Sequence, residues 1–299
     1  MGYIDQQCSR AERRPARSSL DEIEQWCTEQ AAKGKRPRAE KVVQLFLPGL
    51  EDFMRAMPNH IARSSLFAPV ARGRKKIHKN AELVSRSDAT IKFWGEQLDE
   101  AQADVWMQAM REAGKKPLGE PVVICRAAFL RTIGRQTGKY EYDWLDRAMK
   151  ALSFAMLVIE VKKGGKPKYA IGHTRALHMI ESFDYDDEAE AYTLRIDPRW
   201  HAIYSNREFA LIDWDKRMQF GQGQDMAKAL QRLVATSDEQ VQRFELEWLR
   251  RKLEYTSPTC KFRIALAAAM RELERLAIIA GGRIEHSTKG KEQAAWAKL

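Results

Sequence analysis

Arg126-Ala127-Ala128-Phe129-Leu130-Arg131-Thr132-Ile133, then Gly134-Arg135-Gln136-Thr137-Gly138-Lys139, then Tyr142-Asp143-Trp144-Leu145-Asp146-Arg147-Ala148-Met149-Lys150-Ala151-Leu152 is the stretch that decides the fold. It reads as two short helices joined by a polar, Gly-containing turn, the pattern of a helix-turn-helix. In the second helix Trp144, Leu145, Ala148, Met149 and Leu152 recur at helical spacing and mark the inward face. Val122-Val123-Ile124 precedes the pair as a short strand. After Leu152 the period changes. Residues 154–161 are apolar and β-branched, and Lys162-Lys163-Gly164-Gly165-Lys166 supplies a hairpin tip. Residues 169–183 and 191–196 are expected to complete a small antiparallel sheet around an acidic turn, Asp184-Tyr185-Asp186-Asp187. Helix-turn-helix followed by β-hairpin predicts a winged-helix domain.

Upstream, residues 90–94 are strand-like, and a helix is expected from about Asp99 to Ala113. Leu98, Val105, Trp106, Ala109, Met110 and Ala113 share one face, and Gly114 and Pro117 end it. The same order recurs more weakly near the C-terminus. Helices are expected over 225–235, 241–253 and 260–276, with a turn at 256–259. A hairpin follows, pairing 277–279 with 283–286 across Gly281-Gly282. No residue-by-residue repeat joins the two halves; they share only the order of elements. The predicted fold class is α+β: two tandem winged-helix domains with a short N-terminal arm. The arm covers 1–40, an irregular segment 41–72, the first domain 73–208 and the second 209–299.

The composition suits this reading. A chain of 299 residues is long enough for two compact domains, and 51 Lys and Arg against 41 Asp and Glu give a net charge of +10. That surplus favours a polyanionic partner, nucleic acid ahead of membrane. Cys8, Cys27, Cys125 and Cys260 are too scattered for a zinc ribbon or a disulfide framework. The apolar runs are far shorter than a membrane span, and the first twenty residues are polar and Arg-rich, so a cytoplasmic protein is expected.

Catalytic signatures do not emerge. Gly165-Lys166 is followed by Pro167 and lacks the earlier glycine of a phosphate-cradling loop. His60, His78, His173, His178, His201 and His286 form neither His-Glu-x-x-His nor His-x-His. The sequence therefore predicts no enzyme, no metal and no cofactor. A DNA-reading module instead needs a helix with polar tips for base edges and flanking cations for phosphates. The first module offers Arg131, Arg135 and Lys139 around the turn, Arg147 and Lys150 on the second helix, and Lys162, Lys163 and Lys166 at the hairpin tip. The second offers Lys261, Arg263, Arg271 and Arg275. Any one of these taken alone also fits an ordinary solvated side chain; their clustering on turn, helix and tip carries the reading.

One motif resembles a known family. Asp52-Phe53-Met54-Arg55-Ala56-Met57-Pro58-Asn59, continuing to Ala62-Arg63-Ser64-Ser65-Leu66-Phe67, resembles the signature of TrfA-type initiators, the iteron-binding replication proteins of broad-host-range plasmids. The resemblance continues more weakly from residue 118 through the helix-turn-helix to residue 286. It implies binding to double-stranded origin DNA at direct repeats, help in opening the origin, and recruitment of the host initiator DnaA, the replicative helicase and the sliding clamp. It further implies a monomer–homodimer equilibrium in which dimers limit copy number. Gln44-Leu45-Phe46-Leu47 occupies the place of the family's clamp-docking peptide, with Pro48 where the final aromatic residue would be. An extended Gln followed by apolar side chains suits insertion into a hydrophobic groove; packing of the same side chains against the first domain is the alternative. The competing expectation for the whole chain is a transcriptional repressor or copy-control protein that binds an operator and recruits nothing.

Overall fold

Residues 54–70, 75–164, 166–206 and 208–299, which this computed structural model describes, alternate short strands and helices around two apolar cores. They all fall in the unit running from Val43 to Leu299. The described residues open with strand β1 (Met54–Pro58), the single turn α1 (Asn59–Arg63) and strand β2 (Phe67–Ala68). Strands β3 (Ile77–Glu82), β4 (Ala89–Glu96) and β5 (Leu98–Asp99) lead into helix α2 (Glu100–Ala113). Next come β6 (Val122–Cys125), α3 (Arg126–Thr132), α4 (Lys139–Phe154), β7 (Met156–Lys163), β8 (Lys166–Ile171), β9 (Leu177–His178), β10 (Ser182–Asp186) and β11 (Ala191–Arg195). After α5 (His201–Ser205), β12 (Phe209–Asp213) and α6 (Trp214–Met218) the chain makes α7 (Asp225–Val234), β13 (Val241–Glu245), α8 (Leu246–Lys252), α9 (Thr259–Arg275), β14 (Ile279–His286) and β15 (Glu292–Lys298).

Helix α2 starts where a capping box predicts it. The Asp99 side chain accepts from the Gln102 backbone N–H at 2.9 Å, and the Asp99 N–H donates to Gln102 Oε1 at 3.0 Å. Two groups of elements then repeat one topology. In the N-module, β6 between α2 and α3 pairs antiparallel with β11, which pairs with β10. In the C-module, β13 between α7 and α8 pairs with β15, which pairs with β14. Each is helix, strand, helix, helix, hairpin, with the same strand order.

The hairpin in the N-module is a correction. Lys162 to Lys166 were expected at the tip of the hairpin belonging to the helix-turn-helix, but β7 and β8 belong to another sheet, ordered β3-β4-β7-β8 with β9 against β7. That sheet is inserted between α4 and β10. The sequence carries two hairpin signals after α4, and only long-range pairing decides which of them meets β6. The acidic segment is also displaced. Asp184 and Asp186 lie in β10, alternating with half-buried Phe183 and Tyr185, and the reversal is made by residues 187–190.

Three further expectations shift. Residues 241–245, expected to be helical, form β13, and Gln242 is fixed there by accepting from Trp296 Nε1 at 3.1 Å and donating to the Val234 carbonyl at 3.0 Å. Gly281-Gly282 is a bulge inside β14, and the chain turns later, where the Gly290 N–H donates to Ser287. Gly282 packs closely there: an added Cβ would lie 3.0 Å from Met270 on α9, which would have to give way. Residues expected to cross irregularly after Met54 form β1, paired with β12, and the turn α1.

A buried polar junction joins the cores. Glu100 and Asp104 on α2 face Arg217 on α6 and Lys228 and Arg232 on α7. Arg217 Nε meets Asp104 at 2.5 Å and its Nη2 meets Glu100 at 3.0 Å; Lys228 reaches Asp104 at 2.8 Å, and Arg232 Nε donates to Glu100 at 3.2 Å. Burial alone would raise the Asp104 carboxyl, but the charges of Arg217 and Lys228 hold it below its ordinary value. The TrfA-like signature packs here. Arg55 bonds Gln108 at 2.7 Å and lies over Trp214, Met57 accepts from Arg232, and Arg63 bonds Thr236 at 2.9 Å. Met57 and Arg63 of the motif thus reach across to the C-module side, while Ala56, Ala62, Leu66 and Phe67 pack in the first core.

Candidate nucleic-acid interface

The two helix-turn-helix turns are built alike. Helix α3 ends with Gly134 at φ +71° and α8 with Glu254 at φ +50°. In one, the N–H groups of Gly134 and Arg135 donate to the Arg131 and Leu130 carbonyls at 3.0 and 2.9 Å. In the other, those of Glu254 and Tyr255 donate to Arg251 and Arg250 at 3.1 and 3.0 Å. These bonds satisfy the last carbonyls of each helix and fix the direction in which the next one leaves.

Helices α4 and α9 also share a burial register. Leu145, Ala148, Met149 and Leu152 are buried as Leu266, Ala269, Met270 and Leu273 are, each later number being its partner plus 121. With the inward face fixed, the outward faces coincide. Lys139, Tyr140, Asp143, Arg147, Lys150 and Phe154 are exposed on α4, matching Cys260, Lys261, Ile264, Ala268, Arg271 and Arg275 on α9. The repeat lies in burial and not in residue identity, which is why the sequence alone did not display it.

Several predicted cations are exposed and have no partner among the described residues: Arg131, Lys139, Arg147, Lys162, Lys166, Lys261 and Arg271. Others are engaged. Arg135 stacks on the Trp144 ring at 3.4 Å and pairs with Glu141, closing the turn it was expected to project from. Lys150 pairs with Asp146 at 2.7 Å, Arg263 with Glu292 at 2.5 Å, and Arg275 with Glu272 at 2.8 Å. Such exposed pairs are weak, and a phosphate can compete for their cations. Lys163 pairs with Lys166 in the hairpin ladder, and its side chain lies outside the described residues, as do Gln44, Leu45, Phe46 and Leu47.

Sequence reasoning missed Arg251, the exposed counterpart of Arg131 at the end of α8, and the exposed apolar side chains Tyr140, Phe154 and Ile264. Superposing the buried positions of the two helices would have found them. Sequence reasoning recognised an acidic turn but missed that this turn closes the N-module's own hairpin, whose reversal carries Asp187, Glu188 and Glu190 and is unsuited to phosphate. The corresponding C-module reversal carries Lys289 and Lys291. Among the described residues no group of three or more His, Cys, Asp or Glu is placed to hold a metal, and no helix is long and apolar enough to cross a membrane.

No protein-family model matches the chain. Over 171 residues it is 22% identical to the plasmid replication initiator protein TrfA of Escherichia coli, a match covering 55% of this chain and 43% of that protein. The chain thus spans less than half the length of the curated relative it matches. Among solved structures, domains 2 and 3 of RctB overlay 81% of this chain and 98% of that one, with a TM-score of 0.48 and 13% identity. A second crystal structure of the same RctB domains gives a TM-score of 0.43 at 12% identity, over 81% of this chain and 97% of that one. The sequence likeness of the chain is therefore to a replication initiator.

Proposed function

We propose that this chain is a plasmid replication initiator that binds direct repeats at its origin through two winged-helix modules and acts by binding, with no catalysis of its own. The duplicated module carries the reading: twice, the chain holds an outward helix behind a rigid turn, beside a three-stranded sheet. A helix of this kind fits the major groove, where base edges are distinguishable, and its neighbouring cations can bind phosphates. Helix α9, at 17 residues, spans about 25 Å, longer than the groove is wide. The chain's net charge of +10 and its likeness to TrfA point the same way. On this reading it binds as a monomer in equilibrium with a homodimer, opens the adjoining duplex, and engages DnaA, the replicative helicase and the sliding clamp of its host.

A gel-shift titration against the direct repeats of its own replicon, with a random duplex of equal length as control, tests the proposal. Binding in steps matching the repeat count, at least about a thousandfold tighter than to the control, is expected. Equal, strongly salt-sensitive affinity for both duplexes would refute it. Repeat binding without origin activity would instead identify an operator-binding repressor.

A further inference from the structure

The outward row of α9 is Lys261, Ile264, Ala268, Arg271 and Arg275, at helical spacing. Ile264 is 70% exposed. Most of the gain from burying an isoleucine is therefore not realised here. The side chains around it are small: Ala267 is half-buried and Ala268 exposed, so the helix surface on that side is nearly bare. At the equivalent places α4 carries Asp143, Asp146 and Arg147, all polar. Helix α9 thus presents an apolar patch between two cations, Lys261 and Arg271, that have no partner among the described residues. These cations are ten residues apart, about 15 Å along the helix, and the outward row contains no acid. Two copies of this face brought together would oppose cation to cation. A polyanion with an apolar group at its centre fits both features, and on the major-groove edges of DNA the one such group is the thymine 5-methyl.

We infer that Ile264 is a specificity-determining residue that reads a thymine methyl in the major groove, with Ala267 and Ala268 permitting the close approach and Lys261 and Arg271 holding the flanking phosphates. The inference rests on the proposed DNA-binding function and adds to it the base that α9 prefers.

The test uses the full chain. Duplexes bound by the wild-type chain are selected from a random-sequence pool, and each thymine of the selected site is then replaced singly by deoxyuridine, which removes only the methyl. At one or two positions the wild type is expected to lose affinity about fourfold, the worth of burying one methyl group, whereas Ile264→Ala binds both forms equally. Ile264 contributes nothing to either core and Ala is a strong helix former, so this variant should fold; circular dichroism checks that it does. Indifference of the wild type to deoxyuridine, or sensitivity that survives in Ile264→Ala, would overturn the inference. If Arg271→Ala still weakened binding in that case, the DNA-binding reading would stand without it. Failure of the wild type to enrich any duplex would remove the reading and the inference together.

Discussion

Helices α4 and α9 hold the same place in two copies of one topology and share an inward register, yet their outward faces differ. On α4, Lys139, Arg147 and Lys150 are balanced by Glu141, Asp143 and Asp146, and aromatic Tyr140 and Phe154 flank the row. On α9, Lys261, Arg263, Arg271 and Arg275 outweigh Glu272 and Glu274 around an apolar centre. The adjoining hairpins diverge in the same sense, acidic in the N-module and basic in the C-module. Burial fixes a scaffold through a few inward positions and leaves the outward ones free to change chemistry. On the proposed function, the difference assigns the stronger DNA contact to the C-module. In the N-module, the cations of the hairpin tip have moved to the inserted sheet.

The largest effect is expected where the modules meet. Arg232→Met would strand the buried Glu100 carboxylate beside Arg217 alone, and removing one partner of a buried ion pair costs about 3–5 kcal/mol. Urea unfolding should show that loss, with the two cores melting separately; an unchanged midpoint would mean the junction does not couple them. Lys252 lies in the same region, fully buried, donating to the Ser64 carbonyl at 3.3 Å. Burial, reinforced by the charge of Arg232, pushes its ammonium down to about 7. An unfolded lysine titrates at about 10.4. Between about 10 and 7 the unfolded chain therefore takes up a proton that the folded chain does not, so stability falls with falling pH across that window and levels off below it. Lys252→Met should remove this slope and stabilise the protein at pH 7 by up to about 4 kcal/mol, the linkage energy set by those two values. Melting temperatures of both proteins across pH 6 to 10 (roughly the window set by those values) provide the check, and parallel curves would contradict it.

Smaller effects separate the modules on DNA. Arg271→Ala should weaken binding about tenfold or more, as expected when a charged group leaves the interface, and Arg147→Ala distinctly less. Equal losses in a binding titration would erase the asymmetry. Replacing Lys162 and Lys166 together by Ala should weaken binding to every duplex and lower the salt slope by about one for each phosphate no longer neutralised. An unchanged slope would remove the inserted hairpin from the interface.

Local pattern made the helix-turn-helix legible. The inward positions of α4 recur at helical spacing, and the turn between α3 and α4 announces itself through Gly134 and Gly138. What stayed hidden depends on distance along the chain. Strand β6 pairs with β11, some seventy residues away, and the nearer hairpin signal at Gly164-Gly165 gave the wrong partner. Strand β13 was hidden because Val241 and Phe244 continue the apolar spacing of α8 for a few residues, and pairing with β15 overrides that local preference. The TrfA-like motif was recognisable, but its work was not, because only packing reveals that Met57 and Arg63 reach across to Arg232 and Thr236. Of the predicted DNA contacts, the sequence identified exposed cations and could not tell Arg135, held on Trp144, from Arg131, which is free of any described partner.

The central claim is that both modules place a helix in the major groove of one site. Guanine-N7 methylation protection by the full chain on a selected duplex measures this directly. Two protected patches on one face of the duplex, about ten base pairs apart, are predicted, with Arg271→Ala abolishing one and Arg147→Ala thinning the other. A single patch, or no protection at guanine N7 on a duplex the chain binds, would contradict the account.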